Sequence, residues 1–339
     1  MTRATTDLTS GLDPALDSAL AHAPDGVFRF AENFLFAGYD SPADLALWMH
    51  LGTWPDDFGL WEDQVLCALP GDDGMLWAFG YHRTSNDRKP GGGALRFQCI
   101  EPFRHWRITF DGVATLSSPG DARSDLVRDG EKRQIGLDLD ATMVAPAWDP
   151  AAAHREAMAA QSWASAHYQQ LLTLAGSVTV DGQTMDFDGR GVRDHSRGQR
   201  GQAPEHFGGH DLITAAYPSG RAFGIMRMWD PTGVVNLNAG YVVVDGAMSD
   251  AEVIEAPELP PDFRLRGEDL RVVLRSEHGL HELTGHVESS TVATGNHGLG
   301  MAFGADPRPG KLVFSQGFAG WTWDGETSHG LTERSNRFR

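Results

Sequence analysis

Cysteine is nearly absent from this sequence. Its 339 residues hold two, Cys67 and Cys99, too few for the disulfide framework of a secreted scaffold. Both lie in apolar, strand-like runs and read as reduced core residues. Basic side chains are also in short supply, 28 Lys and Arg against 46 Asp and Glu, for a formal net charge of −18. A nucleic-acid binder needs a basic footprint, so the balance argues for a protein that handles a neutral or apolar small molecule. No run is long enough to span a bilayer, and Met1 to Asp25 has neither a basic n-region nor an apolar h-region. The expectation is a cytoplasmic chain, monomer or homodimer, without stable membrane insertion. Nucleophile elbow, Walker loop, dinucleotide fingerprint, CxxC and HExxH patterns are all missing, which counts against hydrolase, kinase, dehydrogenase and zinc-enzyme chemistry.

Glycine and tryptophan are what the chain has in abundance: 40 glycines, 18 prolines and ten tryptophans. Short alternating runs such as Gln64–Leu69, Met75–His82, Ala94–Ile100, Leu171–Val180 and Ala222–Trp229 predict strands. Asp111-Gly112 and Asp181-Gly182 predict tight hairpin turns between them. The alanine-rich stretch 149–170 breaks the pattern; Asp149 makes an N-cap and Pro150 a first helical residue. The predicted division is an N-terminal surface arm at 1–25, a first β-domain at 26–148, a helical linker at 149–170 and a second β-domain at 171–339. Gly74–Arg83 and Gly220–Trp229 echo each other, as a duplicated domain would.

The segment from Gly189 to Arg200 packs four arginines, Asp194, His195 and Ser196 into twelve residues. So many ionisable groups are costly to bury. On a strand Asp194 and His195 point to opposite faces, so they need not form a dyad; the expected arrangement pairs Asp194 with an arginine and leaves His195 facing a cavity. The competing reading is a buried Arg–Asp pair that fixes two strands or domains and does no chemistry.

Tyr168-Gln169-Gln170, Val178–Gly182 and Asp188–Arg200 together resemble the signature of tandem lipocalin-like proteins, the group of the carotenoid 1,2-hydratase (hydroxyneurosporene synthase) and AttH-like families. Their usual phrase is G-x-G-x-R-D-H-S-W-G-x-R. This chain keeps Gly189, Gly191, Arg193, Asp194, His195, Ser196, Gly198 and Arg200, and places Arg197 where tryptophan is usual. Weaker similarity touches Leu51–Pro55 with Gly59–Glu62, and Gly330–Arg334. The resemblance implies an all-β chain of two lipocalin-like (calycin-type) antiparallel barrels in tandem with a ligand cavity in or between them. It also implies cofactor-independent chemistry on a lipophilic, terpenoid-like substrate: hydration, dehydration, isomerisation or cyclisation.

Protonating an alkene requires a positioned acid in a dry site and aromatic faces to steady the cation. Asp194, His195, Glu62 and His210 are the expected catalytic groups. Trp48, Trp54, Trp61, Arg193, Arg200 and Glu333 are the expected substrate and loop contacts, and no metal is expected. Two readings from other classes stay open: a lipophile carrier, and a scaffold that folds a polyene by shape alone.

Overall fold

The computed structural model describes residues 7–161, 163–200, 207–295 and 301–338. Nine strands build the first sheet: β1 (Phe30–Asp40), β2 (Leu45–Trp54), β3 (Asp57–Ala68), β4 (Met75–Arg83), β5 (Arg96–Glu101), β6 (His105–Ser117), β7 (Glu131–Met143), β8 (Ala166–Val180) and β9 (Gln183–Gln199). Their order is β4-β3-β2-β1-β9-β8-β7-β6-β5, and a further pairing of β4 with β6 closes an antiparallel barrel that leaves β5 outside the ring.

The second sheet repeats the plan with β10 (Gly209–Ala216), β11 (Ala222–Trp229), β12 (Val235–Val244), β13 (Ala247–Glu255), β14 (Asp269–Ser276), β15 (Gly279–Gly295), β16 (Met301–Phe303), β17 (Leu312–Trp323) and β18 (Glu326–Arg337). Here β14 pairs with β15 to close the ring, and β10 lies beside β18 as β1 lies beside β9. The all-β, tandem-barrel expectation holds. No helix among the described residues is long and apolar enough to cross a membrane.

Closure corrects the predicted borders. Strands β8 and β9 complete the first barrel, so its last strand ends at Gln199 and the second barrel's first begins at Gly209. The stretch 149–170 is not a linker helix. It holds a 3₁₀ turn at Pro150–Ala152, capped by the Asp149 side chain, and one short helix at Arg155–Ala159, and then enters β8. The Gly74 and Gly220 runs also occupy non-equivalent strands, β4 and β11; by position in the ring, β11 matches β2.

The strands are apolar on both faces for a physical reason. On β1, Phe34 and Phe36 fill the first barrel, while Leu35, Ala37 and Tyr39 face the second. Each fully buried phenylalanine stabilises by about 2 kcal/mol. The same alternation puts Ile213 and Ala215 inside the second barrel, and Leu212 and Ala216 into the shared layer. Across that layer Tyr39 stacks on Phe318 at 5.8 Å, Trp77 stacks on Phe303 at 5.4 Å, and Arg266 pairs with Asp44 at 2.9 Å.

The described N-terminal residues do not form a free surface arm around Leu12–Leu20. Asp17 is fully buried, Leu12 and Leu16 pack with Phe103 and Tyr168, and the Leu20 N–H donates to Glu32. This segment plugs one end of the first barrel.

Candidate functional site

Strand β9 sends its ionisable side chains two ways. Arg193, His195 and Arg197 face into the plugged end of the first barrel. Arg193 Nη1 pairs with Asp17 Oδ1 at 2.7 Å, and its Nε and Nη2 donate to Gln170 Oε1 at 3.2 and 3.0 Å. His195 lies between Glu32 (2.9 Å) and the Tyr168 hydroxyl (2.8 Å), stacked on Phe34 at 3.9 Å. Arg197 donates to Glu32 at 2.6 Å and to the carbonyls of Leu16 and Ser18. The arginine that stands where the resembling families carry tryptophan therefore ties the N-terminal plug to β9. Burial lowers the His195 imidazole pKa, and Glu32 opposes that shift. The expected pairing is reversed: His195 belongs to the structural network, and no arginine among the described residues pairs with Asp194.

Asp194 faces outward, toward the second barrel. His167 Nε2 contacts its Oδ2 at 2.5 Å and Gln169 Nε2 donates to the same oxygen at 3.0 Å. Burial alone would raise this carboxyl's pKa. The charge and hydrogen bond of His167, with help from Gln169, outweigh burial and hold it below the ordinary carboxylate range. The His167 ring meets Trp163 edge-on at 5.3 Å.

The second barrel supplies a matching pair. His210 Nε2 lies 2.8 Å from Glu333 Oε1, and Nδ1 lies 2.6 Å from Ser335 Oγ. Ser335 Oγ also accepts the His210 backbone N–H at 3.0 Å. With Nε2–H donating to the Glu333 carboxylate, Nδ1 is left to accept the Ser335 hydroxyl proton. Phe207 and Phe314 flank the ring at 5.7 and 5.6 Å.

The two acids occupy equivalent places, and their histidines stand on opposite flanks, His167 on β8 and His210 on β10. Asp194 sits opposite Leu35 of β1, and Glu333 sits opposite Leu212 of β10. Three residues before each acid is a glycine, Gly191 or Gly330, where an added Cβ would meet the neighbouring strand's carbonyl oxygen, of Ala37 at 1.8 Å and of Thr214 at 1.7 Å. The two barrels thus share a strand plan and a Gly-x-x-acid position, Gly191–Asp194 and Gly330–Glu333.

Both pairs open on one cavity of about 530 Å³ between the barrels. Leu35, Leu212, Met226, Met228, Phe207 and Phe314 form its apolar walls, and Trp163, Gln161 and Asn236 also line it. No lysine or arginine is among the described residues of its wall. A cavity of this size suits a drug-sized molecule, and its chemistry suits a neutral, largely apolar one.

Of the expected residues, Asp194, His210 and Glu333 meet at this cavity. Arg193, His195 and Trp61 do not, because their side chains fill the first barrel's interior. Arg200 stands behind the wall, with Nη2 on Ser196 Oγ at 2.9 Å and its guanidinium over Trp163 at 5.7 Å. Glu62 receives the Tyr81 hydroxyl at 2.7 Å and the Gln64 amide, and burial raises its pKa. Trp54 meets Tyr81 edge-on at 5.5 Å, and Trp48 is buried in the inter-barrel layer. His206, next to Phe207 in the sequence, lies outside the described residues.

His167 and Trp163 were not anticipated, since both fell within the expected linker. The signal was the run His167-Tyr168-Gln169-Gln170, polar at every position, which suits a strand with two satisfied faces better than an exposed helix.

A family model described as a domain of unknown function (DUF7064) matches residues 16–337. No curated protein matches the sequence. Among solved structures, the AttH candidate NE1406 of Nitrosomonas europaea superposes with a TM-score of 0.56 at 13% identity, covering 95% of this chain and 98% of that one. CghA, solved alone and with Sch210972, gives 0.51 at 13% identity, covering 98% and 97%. At this identity the likeness establishes an AttH-like tandem-barrel fold.

Proposed function

The chain belongs to the DUF7064 family, and we propose that it is a cofactor-independent enzyme that moves protons on a neutral, lipophilic, terpenoid-like molecule held between its barrels. One observation carries the reading: two carboxylate–imidazole pairs, Asp194–His167 and Glu333–His210, open on a single apolar cavity. A structure of similar fold solved with a small molecule, CghA with Sch210972, is consistent with a ligand-binding role.

In an apolar site a carboxylate–imidazole pair passes a proton at little reorganisation cost. His167, hydrogen-bonded to an ionised Asp194, can carry the proton toward a substrate carbon or oxygen. Glu333, hydrogen-bonded to His210, can take one up at the other wall. An acid and a base on opposite walls suit addition or loss of water, double-bond migration, or a cyclisation that begins with protonation. The apolar walls keep bulk water from quenching a cationic centre, and the Phe207, Phe314 and Trp163 rings can stabilise it. No cationic side chain lines the described wall to hold a carboxylate or phosphate substrate.

The test is deuterium incorporation, read by mass spectrometry, into a panel of lipophilic alkenes and tertiary alcohols in D2O. Wild type should transfer label to one class of substrate. Asp194→Asn and Glu333→Gln should each reduce transfer at least about a hundredfold, the usual weight of a positioned acid or base. Label transfer unchanged in both variants sinks the proposal. Tight retention of one compound by all three proteins, with no labelling, points to a carrier or a shape-driven cyclase.

A further inference from the structure

Strand register extends the match between the two walls beyond their acids. Leu35 lies opposite Asp194 and Leu212 opposite Glu333, and two residues along each strand Asn33 faces Ser196 and His210 faces Ser335. On the other flank His167 faces Ser196, and Phe314 faces Ser335. Facing residues on adjacent strands share a side of the sheet. Gly191-x-x-Asp194-x-Ser196 and Gly330-x-x-Glu333-x-Ser335 are therefore one pattern, with glycine, acid and serine at the same spacing. Only the histidine changes sides: Phe314 stands where the first barrel has His167, and Asn33 stands where the second has His210.

The two serines serve different partners. Ser196 Oγ accepts from Arg200 Nη2 at 2.9 Å, while His167 turns its Nε2 to Asp194. Ser335 is fully buried and meets His210 twice. Its Oγ accepts the His210 backbone N–H at 3.0 Å and lies 2.6 Å from Nδ1 of the ring. The first contact fixes the hydroxyl against the strand that carries the histidine, and the second ties down the ring. An imidazole held at Nδ1 cannot turn about its Cβ–Cγ bond without losing that contact, so Nε2 stays aimed at Glu333 Oε1, 2.8 Å away.

With both ring nitrogens engaged, His210 has none left for a substrate. Glu333 lines the cavity, and its Oε1 is committed to His210. Among the described residues no hydrogen bond reaches its other oxygen, Oε2.

We propose that Ser335 is a positioning residue: it fixes His210 as an Nε2–H donor and so presents Glu333 Oε2 as the atom that takes a proton from the substrate. This rests on the inter-barrel cavity being the catalytic site. Protonation of an alkene at the Asp194–His167 wall leaves a cationic carbon. A C–H bond on the neighbouring carbon then breaks, its electron pair closes the new double bond, and its proton passes to Glu333 Oε2. After release, His167 regains a proton from water and Glu333 returns one.

Long-range 1H–15N correlation spectra of the whole protein, labelled with 15N-histidine, test this, with His210→Gln assigning the signal. Wild type should show His210 as a single Nε2–H tautomer. Ser335→Ala should mix the tautomers or speed exchange of the Nε2 proton about tenfold, the worth of one hydrogen bond. Ser196→Ala should leave the His210 signature unchanged. Deuterium transfer to the alkene labelled by wild type should fall about tenfold in kcat in Ser335→Ala, with KM unchanged. Should Ser335→Ala not fold, Ser335→Cys takes its place, since a thiol is only a weak donor. A proton on Nδ1 in wild type, a signature that survives loss of the hydroxyl, or one lost equally in Ser196→Ala overturns the proposal. So does label transfer that is unchanged while the signature is lost. A wild type that keeps the signature and transfers no label sinks the catalytic reading, while the spectra still decide whether Ser335 fixes His210.

Discussion

Replacing Asp17 by alanine should unfold the first barrel early. The Asp17 side chain is fully buried and receives Arg193 Nη1 at 2.7 Å, the Tyr168 hydroxyl and the Phe103 backbone N–H. Without it, the Arg193 guanidinium, 1% exposed, keeps only Gln170 Oε1 and the faces of Phe103, Trp106 and Tyr168. Removing one partner of a buried ion pair costs about 3–5 kcal/mol, because the remaining charge stays desolvated. For a domain of this size each kcal/mol shifts Tm by roughly 2–4 °C, so the expected fall is about 6–20 °C by scanning calorimetry. Asp13→Ala is the control. Asp13 is exposed and caps the 3₁₀ turn that ends at Asp17 through the Ala15 N–H, and its loss should cost about 1 kcal/mol or less. If Asp17→Ala behaves like the control, the N-terminal segment is a surface arm after all and the plug is refuted.

Two further outcomes follow from the second barrel and the duplicated glycines. Asp211 is fully buried, neither carboxylate oxygen has a hydrogen-bond partner among the described residues, and Arg227 stands off at 3.7 Å. Burial raises its pKa from 3.8 to about 7. The folded chain therefore binds a proton that the unfolded chain releases between those values, and stability is lost as pH rises through that window, by up to about 4 kcal/mol. Asp211→Asn should melt higher than wild type at pH 8, with the gap closing toward pH 4; a gap that is flat with pH refutes this. Gly191→Ala and Gly330→Ala should each destabilise by several kcal/mol in denaturant titrations, since the new methyl would overlap neighbouring backbone rather than a movable side chain. A cost under about 1 kcal/mol at both positions would show that the strands can part there.

Much of the barrel was legible in the alternation of short runs. The Asp181–Gly182 turn was too: both residues have positive φ, as a tight hairpin turn requires. The opposed directions of Asp194 and His195 followed from strand geometry alone. Which of the two faced the cavity did not follow, because β1 and β9 are buried on both sides, and a strand with two buried faces loses its inside–outside signature. The domain border was misread for a related reason. Alanine and proline near residue 150 look like a linker, but closing the ring needs β8 and β9 between β7 and β1, a pairing between residues far apart in sequence. Asp17 shows the same limit: its polar neighbourhood suggests a surface, and its partners Phe103, Tyr168 and Arg193 come from distant parts of the chain. Glu333 and His210 could each be named from the sequence, but not as partners, since His210 reaches Glu333 across the β10–β18 pairing.

The repeated glycine-and-acid position has an evolutionary consequence. Had two identical barrels associated as separate chains, both walls of the cleft would carry the same acid and the same histidine placement, and any change would alter both at once. Two barrels in one chain are free of that constraint. One wall now holds an aspartate bound to a histidine on β8, and the other a glutamate bound to a histidine on β10 whose second nitrogen is held by Ser335. Each wall can be tuned without disturbing the other, so a single cleft can present one proton donor and one proton acceptor, a polarity that a symmetric pair of subunits cannot build.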